Sequence, residues 1–133
     1  MIDFGENLVD QISQSAHASE TEASLAAQLT SQLCADNDKF RSLVLEKNLL
    51  DIYLRIIDEI SQKVSEQCLL NCLQAVAAAT KKSKPGVDKI LNNYPAAFAK
   101  IVEVYMRYPD NLFKRASCRI ITNCAKERPF VFQ

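Results

Sequence analysis

The chain has 133 residues, 48% hydrophobic and 24% charged, with sixteen Lys or Arg balancing sixteen Asp or Glu. That length allows one hydrophobic core and excludes two ordinary domains. Two glycines and four prolines are too few for a turn-rich β protein, no apolar run reaches the roughly 20 residues that span a bilayer, and the acidic opening MIDFGENLVD does not resemble a secretory signal.

A single soluble all-α unit is therefore expected. Its five cysteines, Cys34, Cys68, Cys72, Cys118 and Cys124, are odd in number and lie in apolar helical stretches, which predicts small buried hydrophobes in a reducing, intracellular setting. The neutral total conceals two opposed halves. Residues 1–80 hold five Lys or Arg against twelve Asp or Glu, a net of −7, and residues 81–133 hold eleven against four, a net of +7.

In chain order, Ile2, Leu8, Val9 and Ile12 predict a first helix over about 3–15. HASETEAS then interrupts the stripe with capping residues: Ser19 or Thr21 can accept a backbone N–H, and Glu20 and Glu22 suit the positive end of a helix dipole. The second helix, over about 20–34, carries Leu25, Leu29 and Leu33 at i, i+4 and i+8 as its expected apolar face. After ADND, a short amphipathic piece holds Phe40, Leu43 and Val44, and NLLDIYLRIIDEIS renews the signal with Leu50, Leu54 and Ile57. A break at Ser61 to Lys63 precedes VSEQCLLNCLQAVAAAT, whose broad face of small residues would let helices approach closely.

KKSKPG is the clearest loop, ending one helix with lysines and opening the next at Pro85. Three further helical segments follow: GVDKILNN, PAAFAKIVEVYMRY and NLFKRASCRIITNCAKE. Tyr105 is expected to face the core, and Tyr108, before Pro109, to lie over a loop.

The order short helix, longer helix, small-residue helix thus recurs. Laid over one another without gaps, Ser24–Asp36, Cys68–Thr80 and Arg115–Glu127 bring Leu29, Leu73 and Ile120 into register at offsets of 44 and 47 residues. Periods of that size mark helical solenoids of the armadillo and HEAT type. CRIITNCA resembles the third-helix signature of an armadillo repeat, with Ile121, Thr122, Asn123, Cys124 and Ala125 in the apolar, small polar, Asn, apolar and Ala places.

The resemblance implies an all-α, right-handed superhelical solenoid of about three armadillo-like repeats, over about 1–36, 37–82 and 83–127. The first would lack its short opening helix, and residues 128–133 would begin a further repeat of a longer protein. A tail folded back onto the last helix is the other reading of RPFVFQ.

Armadillo proteins that carry nuclear-import cargo display a Trp and, one turn later, an Asn on each third helix. The matching positions here are Gln28 and Gln32, Cys72 and Val76, and Arg119 and Asn123; only Asn123 fits and the chain has no Trp, which disfavours that role. What remains is a candidate partner-binding surface of Arg115, Arg119, Asn123 and Lys126 at roughly helical spacing. Arg forks suit carboxylates and phosphates, so the expected guest is an acidic or phosphorylated segment of another protein, with an ordinary solvated face as the plain alternative.

Enzymatic patterns are sparse. His17 is placed in an interhelical break, Cys68 and Cys72 supply two thiols where zinc wants four ligands, Asp58 and Glu59 are adjacent surface charges, and GxGxxG and HExxH are missing. No catalytic, metal or cofactor site is expected. Nucleic acid is disfavoured because a coherent basic face with stacking aromatics is wanted and Tyr105 and Tyr108 are the only aromatics expected within reach of the basic surface. The expected function is a non-catalytic scaffold or adaptor. The alternatives are a compact motif-reading adaptor of the trafficking or polymerase-tail type, which would bury Phe130 to Phe132, and head-to-tail self-association of the acidic half with the basic half.

Overall fold

Short polar side chains cut the chain into helices. Ser19 accepts from the Glu22 N–H at 3.2 Å, Asn37 from Phe40 at 2.9 Å, Ser65 from Cys68 at 3.2 Å, Ser83 from Gly86 at 3.2 Å and Asp110 from Leu112 at 2.7 Å. Each satisfies a backbone donor that the first helical turn leaves orphaned.

The computed structural model describes residues 4–59 and 65–132. They form α1 (Phe4–Ala18), α2 (Glu20–Cys34), α3 (Asp38–Glu46), α4 (Leu49–Glu59), α5 (Glu66–Ala79), α6 (Lys84–Asn93), α7 (Pro95–Arg107), α8 (Asn111–Glu127) and a 3-10 turn (Pro129–Phe132), with no strand among the described residues. The expected break at Ser61 to Lys63 lies outside them. No helix among the described residues is long and apolar enough to cross a membrane.

The helices pack in two rows. In one, α2 packs on α5 and α5 on α8; in the other, α1 meets α4 and α4 meets α7. Each inner helix is backed by its outer neighbour, α2 by α1, α5 by α4 and α8 by α7, while the short α3 and α6 carry the chain from one pair to the next. Covered on both sides and behind, α5 is the middle of the core: Cys68–Leu73 and Ala75–Ala79 are all buried.

Buried polar groups are paired. Thr30 and Tyr53 share a hydrogen bond of 2.7 Å between α2 and α4. Arg41 donates to the Cys34 carbonyl at 2.7 Å, closing the C-terminal end of α2 with a positive charge, and it also pairs with Asp38. Asn71 of α5 donates to the backbone oxygen and hydroxyl of Ser24 on α2, at 3.2 and 2.7 Å.

Several expectations require correction. On α2 the buried positions are Ala23, Ala26, Ala27, Thr30 and Cys34, whereas Leu25 is 59% and Leu29 39% exposed. α5 covers the small-residue side, so Leu25 and Leu29 face outward while Leu33 is half-buried against the core. Positions 113, 116, 117, 120 and 124 are the buried set of α8. Each lies 90 residues beyond its counterpart on α2, so the structural register differs by one residue from the summed sequence offsets.

Tyr105 is exposed rather than core-facing, and Tyr108 packs its ring on Phe113 at 4.8 Å. His17 sits in the last turn of α1, not in a break. Cys118 is exposed while the other four cysteines are buried, and all five are free thiols. Phe130 is 82% exposed; the side chains of Val131 and Phe132 lie outside the described residues.

Candidate functional site

The C-terminal end of α5, the turn after it and the second half of α8 enclose a cleft of about 300 Å³. Thr80 ends α5, and the chain then turns through Lys81 and Lys82 before Ser83 caps α6. Lys82 takes a left-handed backbone conformation, φ 53°, which costs a non-glycine residue about 1–2 kcal/mol. Across the cleft, Arg119, Thr122, Asn123 and Lys126 come from successive turns of α8.

Of the four residues expected at a binding surface, three line this cleft. Arg119 and Lys126 do so as exposed cations. Arg115 is exposed one turn before Arg119, outside the lining. Asn123 has a different role: its amide nitrogen donates to the Ala77 carbonyl at 3.0 Å and to the Thr80 hydroxyl at 3.1 Å, and Thr80 in turn donates to the Val76 carbonyl at 2.7 Å. Its NH₂ is committed to bracing α8 on α5.

Lys81 and Lys82 enter the site although the sequence presented them only as a helix-ending loop. The turn folds them toward α8, bringing two cations beside residues some forty positions later. The available signal was their place just past the end of the small-residue helix, which the repeat alignment matches to the helix carrying Asn123 and Lys126.

Charge is distributed unevenly among the cations of the basic half. Lys84 and Arg128 pair with Asp88, Lys89 with Asp51, and Lys100 and Arg107 with Glu103. Lys114 donates to the Tyr105 carbonyl at 2.8 Å and lies 5.5 Å from the centroid of that ring. Lys81, Lys82, Arg115, Arg119 and Lys126 make no ion pair among the described residues. Four of these five line the cleft, and Glu127 is the only carboxylate in its wall. Such a site favours an anion and has bidentate geometry available through Arg119.

Two other hollows have different character. One of about 300 Å³ between α1 and α2 is bordered by Leu8, Ile12, Leu25, Ala26 and Leu29. Another, of about 280 Å³, gathers Ser13 and His17 of α1 with Asp51 of α4. Its trio is not joined by hydrogen bonds, and the Asp51 oxygens accept instead from Lys89 at 2.7 Å and Tyr94 at 3.0 Å. The Cys68–Cys72 pair is buried, and the hydrogen bond between the two free thiols, with burial, pushes the Cys72 thiol far up. No group of three or more His, Cys, Asp or Glu among the described residues could hold a metal ion.

No family model matches the chain, and no curated protein or solved structure matches it.

Proposed function

We propose that the chain is an armadillo-like helical-repeat scaffold, non-catalytic and intracellular, whose α5–α8 cleft binds an acidic or phosphorylated segment of another protein. The collection of unpaired cations around one cleft carries this reading: Lys81, Lys82, Arg119 and Lys126 converge there while most other cations of the basic half have partners. Desolvating one lysine on a helix gains little, whereas several cations around a concave wall reinforce each other toward one anionic guest.

The repeat reading is supported by the two rows of stacked helices, by the recurrence of a short helix before each later pair, and by the common burial pattern of α2 and α8. Exposure of Phe130 favours an open row of helices over the compact, end-closed adaptor. In such architectures each module contacts its neighbours and leaves an extended face for partners.

The test is a fluorescence titration with a labelled peptide of alternating Glu and phosphoserine, set against a Gln and Ser peptide of equal length. Wild type should bind the first and not the second. The double variant Arg119→Glu, Lys126→Glu should bind at least about tenfold more weakly, since each lost charged hydrogen bond is worth about 1.5–3 kcal/mol. Equal binding by wild type and variant would refute the site.

A further inference from the structure

The large hydrophobic side chains left exposed are not scattered. Phe4, Leu25 and Leu29 lie on α1 and α2; Tyr105, Met106, Leu112 and Phe130 lie on α7, α8 and the closing turn; none of those recorded lies on α3 to α6. They mark the two ends of the helix rows. Hydrogen bonds to α5 fix which side of each end helix is free.

On α2, Ser24 accepts from Asn71 and so faces α5. At about 100° per residue, Glu22 and Leu29 fall on the opposite side, with Leu25 beside them. These three residues form one wall of the apolar hollow shared with Leu8 and Ile12 of α1. On α8, Asn123 donates to α5. The same rotation turns Lys114, Cys118, Ile121 and Ala125 away from the Asn123 side; Lys114 and Ala125 are half-buried, Ile121 is half-buried against the core, and Cys118 also borders the basic cleft. Lys114 is held there against Tyr105, itself 42% exposed.

The two end helices carry opposite charge. Phe4–Cys34 contains Glu6, Asp10, Glu20 and Glu22 with no Lys or Arg, Asp10 being paired with Lys47 and Glu20 with the Ser65 N–H; on α8, Lys114 and Arg115 stand outside the cleft that Arg119 and Lys126 line. From this pairing we infer that the free side of α2 in one copy docks on the free side of α8 in a second copy of this chain. The contact extends the α2, α5, α8 row from molecule to molecule, with apolar centres covered and Glu22 set against Lys114. It is heterologous, so each copy keeps one face open and assembly does not close on itself. Of the residues lining the basic cleft, the contact takes in Cys118 alone.

Sedimentation velocity on the full chain tests it, with circular dichroism confirming that each variant is folded. Wild type should rise above its 14.9 kDa monomer mass with concentration. It should return toward that mass between about 0.01 M and about 1 M salt, as the Debye length falls from about 30 Å to about 3 Å. The double variants Leu25→Glu, Leu29→Glu and Lys114→Glu, Cys118→Glu should each be monomeric alone. Mixed in equal amounts they should give a species of twice the monomer mass and nothing larger, because one intact α2 face meets one intact α8 face. Wild type that stays monomeric up to about 1 mM, where a contact worth about 4 kcal/mol would still form, overturns the inference and leaves the end faces to a different protein. A mixture that stays monomeric while wild type associates overturns it equally, by placing the contact elsewhere.

Discussion

Asn123 illustrates how a residue's role depends on what its neighbours leave unsatisfied. The last carbonyls of α5 have no partner within the helix, and the Asn123 amide supplies one to Ala77 while also holding Thr80. Asn123→Ala should destabilise the fold by about 1–3 kcal/mol in urea titration, the usual cost of stranding a partly buried acceptor. Affinity for the acidic peptide should change little, since the charges remain; a large affinity loss without destabilisation would restore Asn123 as a ligand contact. The cysteines divide in the same way by surroundings. Burial pushes Cys34 up to about 12 and Cys124 up to about 11, partly countered by Arg41 and Arg128 respectively, while Cys118 is exposed. Iodoacetamide near pH 8 should therefore add one label to the native protein, at Cys118, and five after denaturation, as read by intact mass. Labelling of Cys34 or Cys124 at the Cys118 rate would contradict their burial.

Helix identity was legible in the sequence because the signals were local. Apolar periodicity, the cap offered by Ser19 and Pro85 in a first turn placed most helix boundaries within a few residues, and α8 over the full NLFKRASCRIITNCAKE segment. Which side of a helix is buried was less legible, because that depends on the neighbours it meets. Leucines on α2 looked like a core stripe, yet α5 sits against the alanine side, where small residues permit close approach. Ala27→Leu, at a site with no exposed surface, should cost about 1–3 kcal/mol by overpacking. Leu25→Ala should stay within about 0.5 kcal/mol of wild type by the same urea assay; the reverse order would return the leucines to the core. Between elements, Arg128 at the end of α8 and Lys84 hydrogen-bond Asp88 of α6 and hold its carboxyl below the usual carboxylate range. A depressed carboxyl contributes stability above its unfolded pKa of about 3.9, and loses it as pH falls through the folded value. Thermal melts should show wild type ahead of Asp88→Asn at pH 7, with the gap closing at acid pH below about 4; a constant gap would remove the charge from the account.

At the scale of the whole molecule, the two-ended charge is carried by the first and last helices and by the turn between α5 and α6. Half of the candidate site could be read directly, because Arg119 and Lys126 share a face of one helix and face position follows from spacing. Lys81 and Lys82 could not, because their arrival beside α8 depends on how α5 and α8 stack and on a left-handed backbone at Lys82. Nor could the opening residues of the site be ranked by charge alone: Arg115 belongs to the same helical run as Arg119 but lies outside the cleft wall. Following backbone amide resonances during titration with the phosphoserine and Glu peptide tests whether the cleft between α5 and α8 binds anions. Saturable shifts should concentrate at Lys81, Lys82, Arg119, Thr122 and Lys126 and should be lost in the Arg119→Glu, Lys126→Glu variant. Shifts confined to α1 and α2, or shifts at the cleft that never saturate, would contradict it.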